Sequence, residues 1–138
     1  MRRYIAKQNI EEFKKLTTGE IGEKIFQKWF KSNFHNEIIF KQKADRDYEG
    51  IDFTDEKGYK YQIKATRGCS YTFNCDLESI KSHLTADIYI FIQIKEKAAY
   101  IEPFQDKNYI LDNIKQSYKY KNCFIYSKDL QQYELFKN

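Results

Sequence analysis

The chain has 138 residues, a length typical of a single domain, and 41% of them are hydrophobic. Charged residues make up 32%, yet 24 Lys and Arg against 20 Asp and Glu leave a formal net charge of only +4. This balance excludes an intrinsically disordered chain, which combines low hydrophobicity with high net charge. We therefore predict one domain over residues 1–138, whose mild charge does not by itself indicate nucleic-acid binding.

The residues that commonly bind zinc or form disulfides are few and irregularly spaced. They are Cys69, Cys75, Cys123, His35 and His83. Because there is no CxxC pair and no zinc-type spacing, we interpret the cysteines as reduced thiols of a cytoplasmic protein. No apolar run is long enough for a transmembrane helix, so we expect no membrane association.

The first part of the chain is predicted to be helical. A short helix is expected over residues 9–16, and a longer one follows, because Thr17 and Glu20 have the spacing of a capping box. Apolar residues then recur at helical spacing at Ile21, Ile25, Phe26, Trp29 and Phe30. Residues 33–36 mark the expected end of this helix.

The period of the apolar residues changes to two after this helix. Strands are expected over residues 38–41, 50–54 and 59–66, with a turn over residues 55–58 between the last two. The third strand alternates, so its polar side chains share one face and its apolar side chains share the other. The polar face carries Lys60, Gln62, Lys64 and Thr66.

The remaining chain mixes helices and strands. Helices are expected over residues 76–84 and 105–116 and after the capping residue Ser127. Residues 88–94 are apolar on both faces, which predicts a central covered strand, with residues 98–102 as its hairpin partner. A further strand is expected over residues 122–126. This order predicts an α/β fold in which one mixed β-sheet is flanked by helices.

Three polar residues of neighbouring strands are predicted to meet. Asp52 lies between Ile51 and Phe53, so in a strand its side chain points away from theirs, and Gln62 and Lys64 share one face of the next strand. If the two strands pair through the intervening turn, the three side chains come together. Burying an acid, an amide and an ammonium together is costly unless they bind each other or a ligand. The cluster is therefore a candidate functional site.

This spacing resembles the PD-(D/E)XK nuclease superfamily, whose members have the restriction-endonuclease-like fold. In that family an Asp after a Gly-rich bend is followed, on the next strand, by Glu or Gln, then any residue, then Lys. The matching residues here are Gly50, Asp52, Gln62 and Lys64. The helix sequence Gly19-Glu20-Ile21-Gly22-Glu23 is also similar to the Gly-x-x-x-Glu pattern of Mrr-like and Holliday-junction-resolvase-like members. The resemblance implies a restriction-endonuclease-like mixed β-sheet flanked by helices.

The resemblance also implies metal-assisted hydrolysis of phosphodiester bonds. Asp52 would bind Mg²⁺, or Mn²⁺ as an alternative ion, together with the side-chain oxygen of Gln62 and the backbone carbonyl of Ile63. Lys64 would position the attacking water or stabilise the charge that grows on the phosphate. These ligands suit Mg²⁺, a hard ion that takes oxygen atoms, and a bound metal lowers the pKa of its water.

The carboxylates of the motif differ from the usual pattern on the strand, and the helix offers two glutamates for one role. Gln62 stands where Glu is usual, so one negative charge is lost and weaker metal binding is expected. In the helix, Glu20 faces the solvent side and has the spacing of a capping-box acid, whereas Glu23 lies at the edge of the apolar face. We therefore predict that Glu23 completes the catalytic and metal-binding set.

Two segments are candidates for contacts to nucleic acid. Arg67, Ser70 and Thr72 follow the third strand, where a scissile phosphate could be held. Lys119 and Lys121 alternate with tyrosines, a pattern that contacts phosphates and stacks on bases. In a chain rich in Lys and Tyr, both segments also fit plain solvent-exposed surfaces.

Three functions fit these residues. The first is a Mg²⁺-dependent endonuclease acting on DNA. The second is a catalytically weak or inactive nuclease-fold module that binds nucleic acid or a protein partner, and the third is an interaction protein with a coincidental motif. Intact Glu23, Asp52 and Lys64 favour the first, whereas Gln62 favours the second. No separate recognition domain is predicted, so specificity would come from loops, a homodimer or a partner protein.

Overall fold

The long helix that covers the main sheet begins at a capping box. In the computed structural model, which describes residues 4–33, 38–40, 53–68, 72–75, 86–117 and 122–126, helix α1 spans Thr18–Asn33. The backbone N–H of Thr17 donates to Glu20 Oε1 (3.1 Å), and the N–H of Glu20 donates to Thr17 Oγ1 (3.3 Å). These bonds satisfy backbone groups that the helix itself leaves without partners, and the predicted helix start is confirmed.

Most of the described strands form one sheet. The strands are β1 Ala6–Asn9, β2 Ile38–Phe40, β3 Phe53–Asp55, β4 Lys60–Arg67, β5 Thr72–Cys75, β6 Ile88–Lys95, β7 Ala98–Ile101, β8 Gln105–Asp106, β9 Lys115–Ser117 and β10 Asn122–Tyr126. The main sheet has the order β1-β7-β6-β4-β3-β2, and β8 also pairs with β6. A smaller antiparallel sheet has the order β5-β10-β9. A second helix, α2, spans Lys107–Asn113.

The main sheet is mixed because β4 and β6 run parallel, whereas its other described pairs are antiparallel. In the parallel pair, Tyr61 stands beside Ile88 and Arg67 stands beside Ile94. The predicted α/β class with a mixed sheet and helices is therefore confirmed. β6 is buried along its length up to Ile94, as predicted for a central strand covered on both faces.

The hydrophobic core lies between α1 and one face of this sheet. The ring centroid of Phe26 on α1 lies 5.7 Å from that of Tyr61 and 5.8 Å from that of Phe53. Each large apolar side chain buried in this way stabilises the fold by roughly 1.5–3 kcal/mol. Tyr61 and Phe53 stand opposite each other on β4 and β3, so the core side of both strands faces α1.

A glycine allows the close approach of α1 to β4. A Cβ atom at Gly22 would lie 2.8 Å from the Cβ of Ala65 and 3.5 Å from Cγ2 of Ile63. Carbon atoms of a packed interior do not approach to 2.8 Å without a shift of the backbone, so this contact requires a residue without a side chain.

The predicted strands are confirmed with small shifts at their ends. The strands over residues 59–66, 88–94, 98–102 and 122–126 correspond to β4, β6, β7 and β10. Residues 38–40 form β2, and the predicted turn over residues 55–58 joins β3 to β4. Residues 50–52 of the predicted second strand, and the predicted helices over 76–84 and after Ser127, lie outside the described residues.

Two predicted helices are wrong in part. The helix expected over residues 9–16 is only a short 3-10 helix at Glu11–Phe13, and the residues before it form β1 because they pair with β7. The helix expected over residues 105–116 is shorter at both ends. Its first two residues pair with β6, and Asp106 accepts the N–H of Tyr109 (2.8 Å) as the N-cap of α2. The last residues of this predicted helix belong to β9. Strand β5 is a further difference, because no strand was predicted there.

Candidate functional site

Asp55 fixes the turn that joins β3 to β4. Its carboxylate accepts the backbone N–H groups of Lys57 (3.0 Å) and Tyr59 (2.9 Å) and the hydroxyl of Tyr61 (2.8 Å). Gly58 adopts a φ of 93°, a left-handed conformation that glycine reaches without steric cost. Burial, and then the hydrogen bond to Asp55, raise the pKa of Tyr61, so its hydroxyl keeps its proton and remains a donor.

This turn sets the register of β3 against β4. Phe53 stands opposite Tyr61, and Thr54 stands opposite Lys60. The predicted pairing of the two strands through the turn is therefore confirmed. Asp52, the predicted metal ligand, lies outside the described residues, so its position stays a prediction.

Gln62 and Lys64 share one face of β4, as the alternation predicted. The contacts of Gly22 show that Ile63 and Ala65 face α1. Because successive side chains of a strand point to opposite faces, Gln62 and Lys64 point away from α1. Both residues are half-buried.

The neighbouring strand provides buried aromatic residues beside these two polar side chains. Gln62 stands beside Tyr89 and Lys64 beside Phe91 in the parallel pair of β4 and β6, and residues paired in this way share a face. Tyr89 and Phe91 are buried. Lys64 therefore lies at the border of a region from which water is largely excluded, where its charge acts on an anion more strongly than in bulk water.

Glu102 is a buried carboxylate that the sequence analysis did not single out. Its backbone N–H donates to the carbonyl of Phe91 (2.9 Å), so Glu102 stands across β6 from Lys64. Only 2% of Glu102 is exposed. The sequence signal was weak, because an acidic residue at the end of a predicted strand is also common where that strand reaches solvent.

The backbone of β4 directs successive carbonyl groups to alternate edges of the strand. The carbonyl of Lys60 accepts the N–H of Asp87 (2.8 Å) on the β6 side, and the carbonyl of Tyr59 accepts the N–H of Asp55 (3.0 Å) on the β3 side. By the same alternation, the carbonyl of Ile63 points to the β3 side. A role of this carbonyl as a metal ligand stays a prediction.

Helix α1 carries the two glutamates that the sequence offered. The Oε1 atom of Glu20 accepts both the backbone N–H (3.1 Å) and the hydroxyl (2.8 Å) of Thr17, and these bonds lower the pKa of Glu20. The capping role of Glu20 is therefore confirmed. Glu23 is half-buried on the same helix, which packs against the face of β4 opposite to that of Lys64. A role of Glu23 in the site stays a prediction.

Only part of the predicted nucleic-acid contacts falls on described residues. Arg67 is exposed at the end of β4, and its Nε donates to Thr18 Oγ1 (3.0 Å) at the start of α1. Thr72 is the first residue of β5 and stands opposite Tyr126. The other predicted contacts, which lie outside the described residues, are Ser70, Lys119 and Lys121.

A conventional cluster of metal ligands is absent from the part of the chain that the structure describes. There, no three His, Cys, Asp or Glu side chains lie close enough together to hold a metal ion. The predicted ligand set does not require such a trio within these residues. It combines the amide of Gln62, the carbonyl of Ile63 and the carboxylates of Asp52 and Glu23.

Comparisons with known proteins do not extend this description. No protein-family model matches the chain, and no curated protein matches it. Among the described helices, none is both long enough and apolar enough to cross a bilayer. The residues and the geometry of the β3–β4 hairpin are therefore the basis for inferring a function.

Proposed function

We propose that this chain is a metal-dependent endonuclease that hydrolyses phosphodiester bonds of DNA. The observation that carries the proposal is the arrangement of the β3–β4 hairpin. Gln62 and Lys64 lie on one face of β4, and the strand paired with β4 leads directly back to Asp52. An amide, an ammonium and a carboxylate at this spacing form the Gln-x-Lys variant of the PD-(D/E)XK motif.

Asp52 enters the proposal through the sequence, because it directly precedes β3. Phe53 stands opposite Tyr61, which is the residue before Gln62. The proposal requires this pairing to extend by one residue, so that Asp52 stands opposite Gln62 and supplies the negative charge that a cation requires.

The donor atoms suit a hard divalent cation. Asp52 offers a carboxylate, Gln62 a half-buried amide oxygen, and Ile63 a carbonyl that points to the β3 side of β4. Mg²⁺ prefers such oxygen ligands and keeps several waters, so a protein needs to supply few of them. When bound, Mg²⁺ or Mn²⁺ would polarise the phosphate and lower the pKa of a bound water.

Lys64 stabilises the negative charge that develops on the phosphate during the reaction. Its cross-strand neighbour Phe91 is fully buried, and Lys64 itself is half-buried. A cation held in place before the reaction loses no energy in reorienting when the charge develops. Glu23 adds a carboxylate from α1, which packs on the other face of β4, and the glutamate variants below test this assignment.

The first test compares two lysines of the same strand. We expect Lys64→Ala to reduce the rate of plasmid cleavage in Mg²⁺ by about 10²–10³-fold, the usual effect of removing one such electrostatic group. Lys60→Ala is the matched control, because Lys60 is exposed and bonds to Asp87 through its backbone N–H and carbonyl groups, which the substitution keeps. Asp52→Asn should lose activity like Lys64→Ala. Equal cleavage by folded Lys64→Ala and Lys60→Ala would overturn the assignment.

A second pair of variants separates the helix glutamates. Glu23→Gln is expected to slow cleavage, whereas Glu20→Gln should be nearly silent, because Gln still serves in a capping box. The reverse ranking would assign the catalytic carboxylate to Glu20 instead.

Gln62 also supports a second candidate, a nuclease-fold module that binds DNA without cutting it. The amide lacks the negative charge that the usual Glu provides, so the site holds a cation less strongly. Incubation with plasmid, single-stranded DNA, four-way junctions and RNA in Mg²⁺, Mn²⁺ or EDTA distinguishes the two. Binding without metal-dependent cleavage of any substrate would favour the module.

A further inference from the structure

A cluster of lysines surrounds one tyrosine at the edge of the main sheet formed by β1 and β7. The Nζ atom of Lys7 lies 5.7 Å from the ring centroid of Tyr100, and that of Lys95 lies 5.8 Å from it. The ring of Tyr4 contacts Tyr100 edge-on, with centroids 4.8 Å apart. The π-system of Tyr100 attracts both ammonium groups, which offsets part of their mutual repulsion.

Lys7, Lys95 and Tyr100 line a cavity of about 390 Å³, together with Lys97 and Glu96 at the tip of the β6–β7 hairpin. Glu96 adopts a φ of 53°, a conformation that residues other than glycine rarely adopt. Of the lysines, Lys97 has a carboxylate nearby, with Glu11 Oε1 at 3.9 Å from its Nζ. The cavity therefore combines three ammonium groups with fewer carboxylates, and its charge fits an anion.

The cluster lies on the same face of the sheet as Lys64. Lys7 stands beside Tyr100, Tyr100 beside Gln93, and Gln93 beside Thr66. Residues paired across strands share a face, and Thr66 shares the face of Lys64 because the two are separated by one residue of β4. Three strand spacings of about 4.8 Å separate β4 from β1, which is about 14 Å.

We infer that Lys7, Lys95 and Tyr100 bind the phosphate backbone of the DNA on which the proposed nuclease acts. The inference rests on the proposed function, since it assigns a substrate contact to the face that carries Lys64. Successive base pairs of DNA lie about 3.4 Å apart, so about four base pairs span the separation of about 14 Å between β4 and β1. A DNA segment of this length matches the distance between the strands that carry Lys64 and the lysine cluster, and the buried residues Phe91 and Gln93 between them would not contact it.

The test measures binding without cleavage. Affinity for a short DNA duplex is determined by fluorescence anisotropy in EDTA over a series of salt concentrations. Removing one lysine–phosphate contact lowers the slope of log affinity against log salt by about 0.9. For Lys7→Gln combined with Lys95→Gln we therefore expect the slope to fall by about 2. The matched control is Lys24→Gln combined with Lys31→Gln, which removes the same charge from exposed positions of α1 on the other side of the sheet.

The role of the ring is tested separately. We expect Tyr100→Leu to weaken DNA binding about two- to fivefold, because the lysines lose the ring that holds them, while Tyr100→Phe keeps wild-type affinity. If the double lysine variant of the cluster has the wild-type slope, the inference is overturned, whether or not the protein cleaves DNA. If the slope falls but wild type never cleaves with any metal, the proposed activity fails and the binding surface stands.

Discussion

One buried hydrogen bond joins the two strands beside the proposed site. Tyr61 donates its hydroxyl proton to Asp55 Oδ2 (2.8 Å), and the same carboxylate holds two backbone N–H groups of the turn. Loss of the Tyr61 proton would leave two negative charges in contact in a buried position. Burial and this hydrogen bond therefore raise the pKa of Tyr61 above its usual range. The hairpin that presents Gln62 and Lys64 depends on a neutral Tyr61.

At this residue scale, we expect Tyr61→Phe to reduce the loss of stability at alkaline pH. Because the folded pKa is raised, folded wild type keeps a proton that the unfolded chain loses above its pKa of about 10. The contribution of the Tyr61 hydroxyl to the free energy of unfolding is thus complete below about pH 10. It declines as the pH rises, by at most about 1.4 kcal/mol per pH unit. Tyr61→Phe lacks this decline, although it starts about 1–2 kcal/mol less stable because Asp55 loses a donor.

Urea unfolding at several pH values from about 8.5 to 11 measures this difference. Other tyrosines and lysines titrate in both proteins, so the difference between the two stability curves isolates Tyr61. Curves that stay parallel over the whole range would show that Tyr61 does not retain its proton in the fold.

At the scale of elements, the contact of α1 with β4 depends on the missing side chain of Gly22. A Cβ there would lie 2.8 Å from that of Ala65, whereas a Cβ at Gly19 of the same helix would have nothing within 4 Å. We expect Gly22→Ala to destabilise the fold by about 1–3 kcal/mol through overpacking. Gly19→Ala should instead stabilise it by up to about 1 kcal/mol, because Ala favours the helix. Thermal unfolding compares the two, and a stabilising Gly22→Ala would contradict the close packing of α1.

The elements that the sequence predicted well are those with a local signal. The capping box of Thr17 and Glu20 marks the start of α1, and the apolar run from Ile88 marks the covered strand β6. β1 has no such signal, because it becomes a strand only by pairing with β7. Asp106 is of a residue type common at N-caps, and its side chain caps α2 by accepting the N–H of Tyr109. The apolar pattern nevertheless predicted a helix that extends too far at both ends.

In the candidate site, too, the features that follow from local sequence are predictable, and those that depend on strand pairing are not. The shared face of Gln62 and Lys64 follows from alternation in a single strand, so the sequence predicts it. The position of Glu102 across β6 from Lys64 depends on the register of three strands, as does the approach of Lys7 and Lys95 to Tyr100. Such contacts join distant parts of the chain, and no periodicity within one segment encodes them.

At the scale of the whole molecule, both faces of the main sheet contain buried residues, and β4 carries the polar residues of the proposed site on the face away from α1. One face carries the apolar residues that pack against α1, and the other carries Gln62 and Lys64. A ligand that binds only the folded protein stabilises it in proportion to the logarithm of its concentration over its dissociation constant. Metal binding at this face should therefore appear in the unfolding of the entire domain.

We expect Gln62→Glu to lower the melting temperature in EDTA and to increase the rise in melting temperature that Mg²⁺ causes. The new carboxylate is half-buried beside Tyr89, so keeping it charged without a cation costs stability. With Mg²⁺ a few ångströms away, the added attraction is worth up to about 4 kcal/mol at an effective dielectric of about 20, before desolvation is subtracted. Gln27→Glu, which adds the same charge at a half-buried position of α1, should show neither effect.

Thermal unfolding of wild type and both variants in EDTA and in Mg²⁺, together with calorimetry of Mg²⁺ binding, measures both effects. Turnover is a poor readout here, because tighter binding of the metal in the ground state does not by itself stabilise the transition state. A folded Gln62→Glu protein that binds Mg²⁺ no more tightly than wild type would show that Gln62 does not face the metal. In that case the assignment of β4 as the metal-binding strand is wrong, even if Lys64 contacts the substrate.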